Sequence, residues 1–430
     1  MWLRDRRWLK SSNINTTFRA ASQSCPHHDI IFPVKSSKII QTNIKIDSLV
    51  PGGQGIGTLE DGKKVFLWNA LPGETISELI VAKQKTHFLE GIATKIEQPS
   101  KYRVEPKDAC FLSTSPWQIM DFNYELGQKR LLVVESLRQE HVMVPEGTKV
   151  ESVRSDGKEW FYRNKMEYAL FWAKEDEKIH IAFHSRGSHQ KFPIEDSSIE
   201  KPEILESAKA IVDGLNAEHD DSRKYQSMLL RASSDGTVSG GLFENHKPHP
   251  PFKNLSDTIL GQTYTYSPNG FFQINLPVYE LALKEIKNYI DTAKVLDLYS
   301  GVGTIGLSVA RDKNLTLVES NEAAFRELKN NCRGTSAVPI LAKSEEALEY
   351  IAPDLTVILD PPRAGCDRQL IEALLKKTPE TIIYLSCNPS TQARDIKLLE
   401  EKYIIERIAP FNFFPKTPHI ENLVVMRRII

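Results

Sequence analysis

The sequence is poor in cysteine, and its cysteines do not fall in close pairs. The five are Cys25, Cys110, Cys332, Cys366 and Cys387. They form no Cys-x-x-Cys pair and their number is odd, which argues against a secreted disulfide framework. The expected location is therefore the reducing cytoplasm.

Long hydrophobic runs are also missing. No run approaches the roughly 18 to 20 apolar residues of a membrane-spanning helix, and the N-terminal region lacks the apolar core of a secretory signal. Charge of one sign is equally scarce, because 55 Lys and Arg balance 56 Asp and Glu, a net charge of −1. We expect no membrane association, and any basic surface for nucleic acid must be local.

Residues 1–35 differ in composition from the rest of the chain. They are rich in arginine, serine, threonine and asparagine and contain only two acidic residues, Asp5 and Asp29. A disordered tail, or a start codon placed too early, is the favoured interpretation. An organelle transit peptide has a similar composition and remains open.

The remaining 395 residues, 36–430, are enough for two or three domains. Residues 36–98 show short alternating strands between turns such as 51–53 and 71–74, which predicts a small OB-like β-barrel. Its Lys63-Lys64-Val65-Phe66 hairpin places basic residues beside an aromatic ring, as in modules that grip an RNA backbone, although many such hairpins are only solvated. Residues 99–265 mix helical and strand patterns, which predicts a central α+β domain.

Residues 266–430 alternate strands and helices regularly. Strands are predicted at 294–298, 315–318, 355–359, 381–385 and 403–408, with helices between several of them. This alternation predicts an α/β domain with a mostly parallel, Rossmann-like sheet covered on both faces.

The segment 297–306, Asp-Leu-Tyr-Ser-Gly-Val-Gly-Thr-Ile-Gly, predicts a ligand-binding turn between a strand and a helix. Gly301 and Gly303 let backbone amides approach a ligand, and Glu319 follows at the distance at which a carboxylate reaches a ribose in such folds. The GxGxxG spacing also suits a nicotinamide enzyme. Asp360-Pro361-Pro362-Arg363, after the next buried strand, distinguishes this chain from that class.

Cys387 is the candidate nucleophile. It lies in Ser386-Cys387-Asn388-Pro389, just after an apolar strand, where a substrate reaches a parallel sheet. Attack by a thiolate on carbon 6 of uracil makes carbon 5 nucleophilic, and a base must later remove the carbon 5 proton. Glu421 is the candidate base, whereas Cys332 and Cys366 are interpreted as structural, as most free cysteines are.

The chain from about residue 36 onward resembles the RNA uracil-5-methyltransferase family, which modifies transfer RNA or 23S ribosomal RNA. Five ordered motifs carry the resemblance: 271–275, 297–306, 360–363, 386–389 and 414–421. The barrel resembles the family's TRAM domain, and 162–165 resembles its central RNA-binding segment. The resemblance implies a class I methyltransferase fold and S-adenosylmethionine as cofactor. It implies a structured RNA as substrate, with 23S rRNA favoured over tRNA, and a monomeric protein.

The resemblance also implies roles for single residues. Cys387 is the nucleophile and Glu421 the base. The predicted contacts to the methyl donor are Gln273, Tyr299, Gly301, Gly303, Thr304, Glu319 and Asp360.

This sequence departs from the family pattern at three positions, which limits the family properties that can be expected of it. Cys110 has no neighbouring cysteines, so the four-cysteine iron–sulfur cluster of many relatives is not expected, and neither is a metal. Ser300 replaces a common cysteine of the glycine turn. Asn412 stands where an acid is usual, which leaves the orientation of the Glu421 loop open.

Two other functions remain possible on the sequence. One is methylation of another base position, such as carbon 5 of cytosine, which shares the thiolate chemistry, or an amino group. The other is a catalytically silent RNA-binding assembly factor. Cys387 and Glu421 argue against a silent protein, because a scaffold needs neither.

Overall fold

The structure is a computed structural model that describes residues 38–187, 189–218, 224–249 and 251–429. The predictions for residues 1–35 lie outside this range. Within it, no helix is long and apolar enough to cross a membrane.

The chain begins, in its described part, with a closed five-stranded barrel in the order β1-β2-β3-β5-β4. Alternate side chains, such as Ile44, Ile46, Val65 and Leu67, point inward and form its core. The prediction of a small barrel is confirmed. Its strands are β1 (Ile39–Leu49), β2 (Gly55–Thr58), β3 (Lys64–Trp68), β4 (Thr75–Gln84) and β5 (Phe88–Gln98).

Helices connect the barrel to the central part of the chain. A single-turn helix α1 (Phe111–Thr114) and a short 3-10 helix (Pro116–Ile119) precede the long helix α2 (Phe122–Gln139). The Asp121 side chain caps α2 by accepting hydrogen bonds from the amides of Asn123 and Tyr124.

The central region is a six-stranded antiparallel sheet with one helix packed on it, in the order β11-β10-β9-β6-β7-β8. Helix α3 buries Ile204, Ala208, Val212 and Leu215 on one face, which explains its packing against the sheet. This arrangement is α+β, but the order of its elements could not be read from the sequence. The elements are β6 (Lys165–Ala173), β7 (Lys178–His184), β8 (Lys191–Pro193), α3 (Pro202–Ala217), β9 (Tyr225–Ala232), β10 (Val238–Glu244) and β11 (Lys247–His249).

The C-terminal region contains a hairpin followed by a seven-stranded sheet. The hairpin strands are β12 (Leu255–Ile259) and β13 (Gln262–Tyr266). The sheet strands are β14 (Lys294–Leu298), β15 (Asn314–Glu319), β16 (Val338–Leu341), β17 (Leu355–Leu359), β18 (Thr381–Ser386), β19 (Tyr403–Phe411) and β20 (Glu421–Arg428). The helices are α4 (Leu276–Lys287), α5 (Thr304–Val309), α6 (Glu322–Asn331), α7 (Arg368–Lys377) and α8 (Pro389–Leu399), with 3-10 turns at Ser344–Glu346 and Leu348–Tyr350.

The sheet has the order β16-β15-β14-β17-β18-β20-β19, and its first five strands are parallel. The predicted mostly parallel sheet is therefore confirmed, with a hydrophobic cluster against each of its faces. Strands β16 and β20 were not predicted. Strand β20 is antiparallel to both of its neighbours, β18 and β19, and its first residue is Glu421.

The barrel touches the segment 412–420, here called the catalytic loop, through the turn after β1. Gly53 has a φ of +94°, and a Cβ atom at this position would lie 2.6 Å from Pro418 of the loop. Its carbonyl accepts a hydrogen bond of 2.9 Å from the indole N–H of Trp117. This turn is therefore closely packed on the catalytic loop.

We predict that Gly53→Ala lowers the free energy of unfolding by about 2 kcal/mol, since it adds both backbone strain and a steric clash. Gly62→Ala is the matched control, because Gly62 has a φ of +82° and open space at its Cβ position. Urea denaturation should show the larger loss for Gly53→Ala. Equal losses would show that the contact with Pro418 contributes nothing.

Candidate active site

The carboxyl ends of three neighbouring strands form one edge of a cleft. Register pairs Leu298 of β14 with Val318 of β15 and with Leu359 of β17. The next residues along each strand are Tyr299, Glu319 and Asp360, so the parallel sheet brings these predicted residues to one edge. Tyr299, Asp360 and Thr304 all line the cleft.

The glycine turn is stabilised by hydrogen bonds from its own backbone amides. The Gly301 amide donates to the Glu319 carboxylate at 2.8 Å, and the Gly303 amide donates to the Ser300 carbonyl at 2.8 Å. Both hydrogen bonds hold the turn, and the first of them orients Glu319. A Cβ atom on Gly301 would meet open space, whereas one on Gly303 would lie 2.6 Å from Leu328.

Asp297 lies beneath the turn and is fully buried. One carboxyl oxygen accepts a 2.8 Å hydrogen bond from the Gly306 amide, and the other has no partner among the described residues. Burial raises the pKa of Asp297 to about 8, although the Gly306 hydrogen bond opposes this shift. Above it, the open space beside Gly301, in a cleft lined by the polar side chains of Thr304 and Asp360, fits a polar ligand such as the adenosine part of the predicted cofactor.

Gln273 comes to the same cleft from the loop before α4. The Asn164 side-chain amide donates to the Gln273 carbonyl at 3.1 Å, and Arg231 donates to the Phe272 carbonyl at 2.7 Å. The central region therefore positions this loop. Phe271, which reasoning from the sequence did not single out, also lines the cleft, and its side chain is 72% exposed.

The antiparallel pairing of β18 and β20 brings Cys387 to Glu421. Ser386 is paired with Asn422, so the residue after β18 and the first residue of β20 lie side by side. Cys387 is half-buried, whereas Cys110, Cys332 and Cys366 are buried. The thiol is thus the most accessible among the four cysteines that the structure describes.

The electrostatic environment of this thiol is mixed. The pKa of Cys387 is raised to about 11, mainly by burial and also by the carboxylates of Glu421 and Asp360, although the positive charge and a hydrogen bond of Arg363 oppose this rise. Burial also raises the pKa of Glu421 well above its usual range, with Asp360 adding to the effect. The pKa of Asp360 rises to about 7 for the same reason, burial.

Arg363 and His419 complete the polar surroundings of the thiol, and neither was assigned a role from the sequence. An Arg363 N–H donates to His419 Nδ1 at 3.2 Å. Burial and nearby cations lower the pKa of His419 to about 4, so this ring is neutral and can accept the bond. The Asn388 side chain fixes Arg363 by donating to its carbonyl oxygen at 2.9 Å.

The catalytic loop is held by a buried polar network. Lys129 on α2 donates to the Asn412 side chain at 2.5 Å and forms an ion pair of 3.0 Å with Glu125, and both charged side chains are fully buried. Glu125 also accepts hydrogen bonds from the Asn412 side-chain amide, at 3.1 Å, and from the Lys416 backbone, at 3.0 Å. Asn412 therefore fixes the loop, whose orientation the sequence had left open.

Cys110 makes no metal-like cluster. Its sulfur lies 4.0 Å from both the Thr114 hydroxyl and the Asp196 carbonyl. In the described part of the chain, no group of three or more His, Cys, Asp or Glu side chains could hold a metal ion.

Comparisons with known proteins agree with this geometry. Residues 348–429 match the family model described as tRNA (Uracil-5-)-methyltransferase. An uncharacterized RNA methyltransferase of Enterococcus faecalis is 28% identical over 93% of this chain and 99% of its own length. A 23S rRNA (uracil(1939)-C(5))-methyltransferase, RlmD, of Dichelobacter nodosus is 27% identical over 88% of this chain and 96% of its own length.

A solved structure has the same fold. It is the tRNA (uracil-54, C5)-methyltransferase of Pyrococcus abyssi, in complex with S-adenosyl-L-homocysteine, with a TM-score of 0.70 and 24% identity over 90% of this chain and 99% of its own. Together these matches confirm the resemblance to RNA uracil-5-methyltransferases and the prediction of an enzyme. The S-adenosyl-L-homocysteine bound in that structure is the demethylated form of the cofactor predicted for this chain.

We predict that Lys129→Met destabilises the protein by about 3 to 5 kcal/mol, because it leaves the Glu125 charge buried without its closest partner. Arg138→Met on the same helix is the control, since Arg138 and its partner Glu135 are largely exposed, and it should change stability little. Urea denaturation followed by circular dichroism compares the two. A loss no larger for Lys129→Met than for Arg138→Met would contradict this account of the loop.

Proposed function

We propose that this enzyme methylates carbon 5 of a uridine in a structured RNA through a covalent bond between Cys387 and the base. The observation that carries the proposal is the placement of a half-buried thiol beside a buried carboxyl, at the rim of the cleft formed by Tyr299, Gly301 and Asp360. Methylation of an amino group would need no such thiol.

The covalent step follows from this pair of side chains. The Cys387 thiolate adds to carbon 6 of the uracil ring, and the electron pair of the ring double bond makes carbon 5 nucleophilic. S-adenosylmethionine, when bound, supplies the methyl group that carbon 5 takes. Glu421 then accepts the carbon 5 proton, the ring double bond forms again, and the Cys387–C6 bond breaks to return the thiolate.

The shifted pKa values favour the base and oppose the nucleophile. A base works best when its pKa is close to the operating pH, and burial beside Asp360 raises the pKa of Glu421 from that of an ordinary carboxyl. The pKa of the Cys387 thiol is raised to about 11 even though a nearby positive charge lowers it. Arg363 is the side chain that supplies this charge.

The donor cleft contains all but two of the proposed donor contacts as lining residues: Gln273, Tyr299, Gly301, Thr304 and Asp360. Glu319, held by the Gly301 amide, is proposed to bind the ribose hydroxyls. Gly303 contributes to the shape of the turn.

Three domains are proposed: the barrel at 36–98 as a TRAM-like RNA-binding domain, 99–265 as a central RNA-binding domain, and 266–430 as the methyltransferase domain. Two of the proteins named above are named for 23S rRNA and for tRNA, respectively. The barrel favours 23S rRNA as substrate by analogy with the family, with tRNA next. The enzyme is proposed to act as a cytoplasmic monomer.

Glu319→Ala should weaken binding of S-adenosylhomocysteine about 10- to 100-fold, because it removes a charged hydrogen-bond acceptor and a brace of the glycine turn. Isothermal titration calorimetry measures the affinity. Glu322→Ala, on the first turn of the following helix α6, is the control and should bind normally. Wild-type affinity in Glu319→Ala would show that this carboxylate does not contact the donor.

Two substitutions should shift the reactivity of Cys387 in opposite directions. Alkylation by iodoacetamide requires the thiolate and therefore increases as pH rises through the thiol pKa. Arg363→Met removes a cation and should move the midpoint of this profile to higher pH, whereas Glu421→Gln removes an anion and should move it lower. Mass spectrometry of the Cys387 peptide gives the rate at each pH, and shifts of the same sign would refute the electrostatic assignment.

An RNA containing 5-fluorouridine should trap the wild-type enzyme in a covalent complex, because no base can remove fluorine from carbon 5. Cys387→Ala should form no complex on a denaturing gel, and Glu421→Gln should accumulate a complex with unmodified RNA. Cys366→Ala is the control for loss of a buried thiol. Trapping of Cys387→Ala at the wild-type level would disprove the assigned nucleophile.

A further inference from the structure

A second cavity lies in the central region, outside the donor cleft. Its volume is about 260 Å³, below the roughly 300 to 1,000 Å³ of pockets for drug-sized ligands. It therefore suits a group no larger than a single base. Its walls include Phe161, Asp196, Ser197, Glu200, Leu205 and Glu206.

Two buried polar atoms in this wall lack partners. Glu200 is 1% exposed, and its Oε2 accepts a hydrogen bond from the Tyr168 hydroxyl, but its Oε1 has no partner among the described residues. The hydroxyl oxygen of Ser197, which is 3% exposed, has none in the same range. Buried polar atoms are nearly always hydrogen-bonded, so these two acceptors imply a donor that enters the cavity.

The mouth of the cavity presents a fixed aromatic ring. Phe161 is 53% exposed and has a φ of +56°, a conformation that is rare for aromatic residues. Its amide donates to the Ser198 carbonyl at 2.9 Å, and the Ser198 amide in turn donates to the Asp108 carboxylate at 2.9 Å. The backbone that carries this exposed ring is therefore held in place against the cost of its conformation.

The charge of the cavity limits what can bind. Asp196, Glu200 and Glu206 offer only acceptors when ionised, so a phosphate is repelled and a group with N–H donors is favoured. Guanine has two adjacent donors, N1–H and the N2 amino group, on its Watson–Crick edge. Adenine, cytosine and uracil each place an acceptor beside their donor, which would face the carboxylate unfavourably.

We infer that this cavity binds one unpaired guanine of the RNA substrate, stacked on Phe161 and hydrogen-bonded to Glu200 and Ser197. Unpaired bases in RNA are commonly read in this way, by an aromatic face and by hydrogen bonds to the base edge. The next residue, Tyr162, donates from its hydroxyl to the Pro415 carbonyl at 3.0 Å. A guanine held here would thus anchor the RNA next to the catalytic loop.

The inference rests on the proposed function only in taking RNA as the ligand. Burial raises the pKa of Glu200 to about 7. Because the carboxylate is the form that accepts both guanine donors, binding of guanine should strengthen as pH rises from 6 to 8.

The test uses the full chain and fluorescein-labelled pentanucleotides, UUGUU, UUIUU, UUAUU and UUCUU, with fluorescence anisotropy at pH 8. UUGUU should bind about tenfold tighter than UUAUU and UUCUU, and inosine, which lacks only the N2 amino group, should be intermediate. Glu200→Gln should abolish the preference, and Phe161→Ala should weaken UUGUU about tenfold. Glu175→Gln, on an exposed turn, is the control and should behave as wild type.

Circular dichroism would reveal a folding defect in Glu200→Gln, and Phe161→Ala tests the same cavity through an exposed side chain. Equal affinity for the four oligonucleotides would overturn the guanine site while leaving RNA binding intact. Absence of binding to all of them would count against the proposed RNA substrate as well. Binding of agmatine that Glu200→Gln abolishes, without any base preference, would assign the cavity to a cationic group instead.

Discussion

The antiparallel pairing of β20 with β18 is the constraint on which the active site depends. In a purely parallel sheet, every strand would end, and none would begin, at the edge where β18 ends. Because β20 runs the opposite way, its first residue, Glu421, comes to the end where Cys387 follows β18. The proposed nucleophile and the proposed base, 34 positions apart in the sequence, thus meet at the edge where parallel sheets bind their ligands.

This pairing places carboxyl groups close together in a site with little water. Burial raises the pKa of Asp297, Asp360 and Glu421. The same burial raises the pKa of the Cys387 thiol, which disfavours the reactive thiolate. Arg363 opposes this effect, and Asn388 holds its backbone while the neutral His419 accepts a hydrogen bond from its guanidinium. The site therefore combines buried carboxyl groups, which raise the pKa of the thiol, with a cation, which lowers it.

The catalytic loop is fixed by every other part of the described chain. The barrel packs on it through Gly53 against Pro418, and the central region reaches it through Tyr162, which donates to Pro415. Helix α2 holds it through the buried Lys129 and its bond to Asn412. The regions proposed to bind RNA are thus in direct contact with the loop that leads into Glu421. The same loop therefore connects the proposed RNA-binding regions with the proposed base.

The sequence alone determined the elements whose signals are local. Alternating residues predicted the barrel, alternating strands and helices predicted the parallel sheet, and the glycine turn and the Ser386-Cys387-Asn388-Pro389 segment marked its ligand edge. Gln273 came only from family resemblance, because a lone glutamine in a loop carries no pattern. Tertiary structure decided what depends on contacts between distant segments: the antiparallel β20 beside Cys387, the contact of Arg363 with His419, and the burial of Glu125 and Lys129. Contacts between segments that are far apart in the chain produce no periodic pattern in the sequence. Only the folded chain therefore shows which charged side chains are buried together.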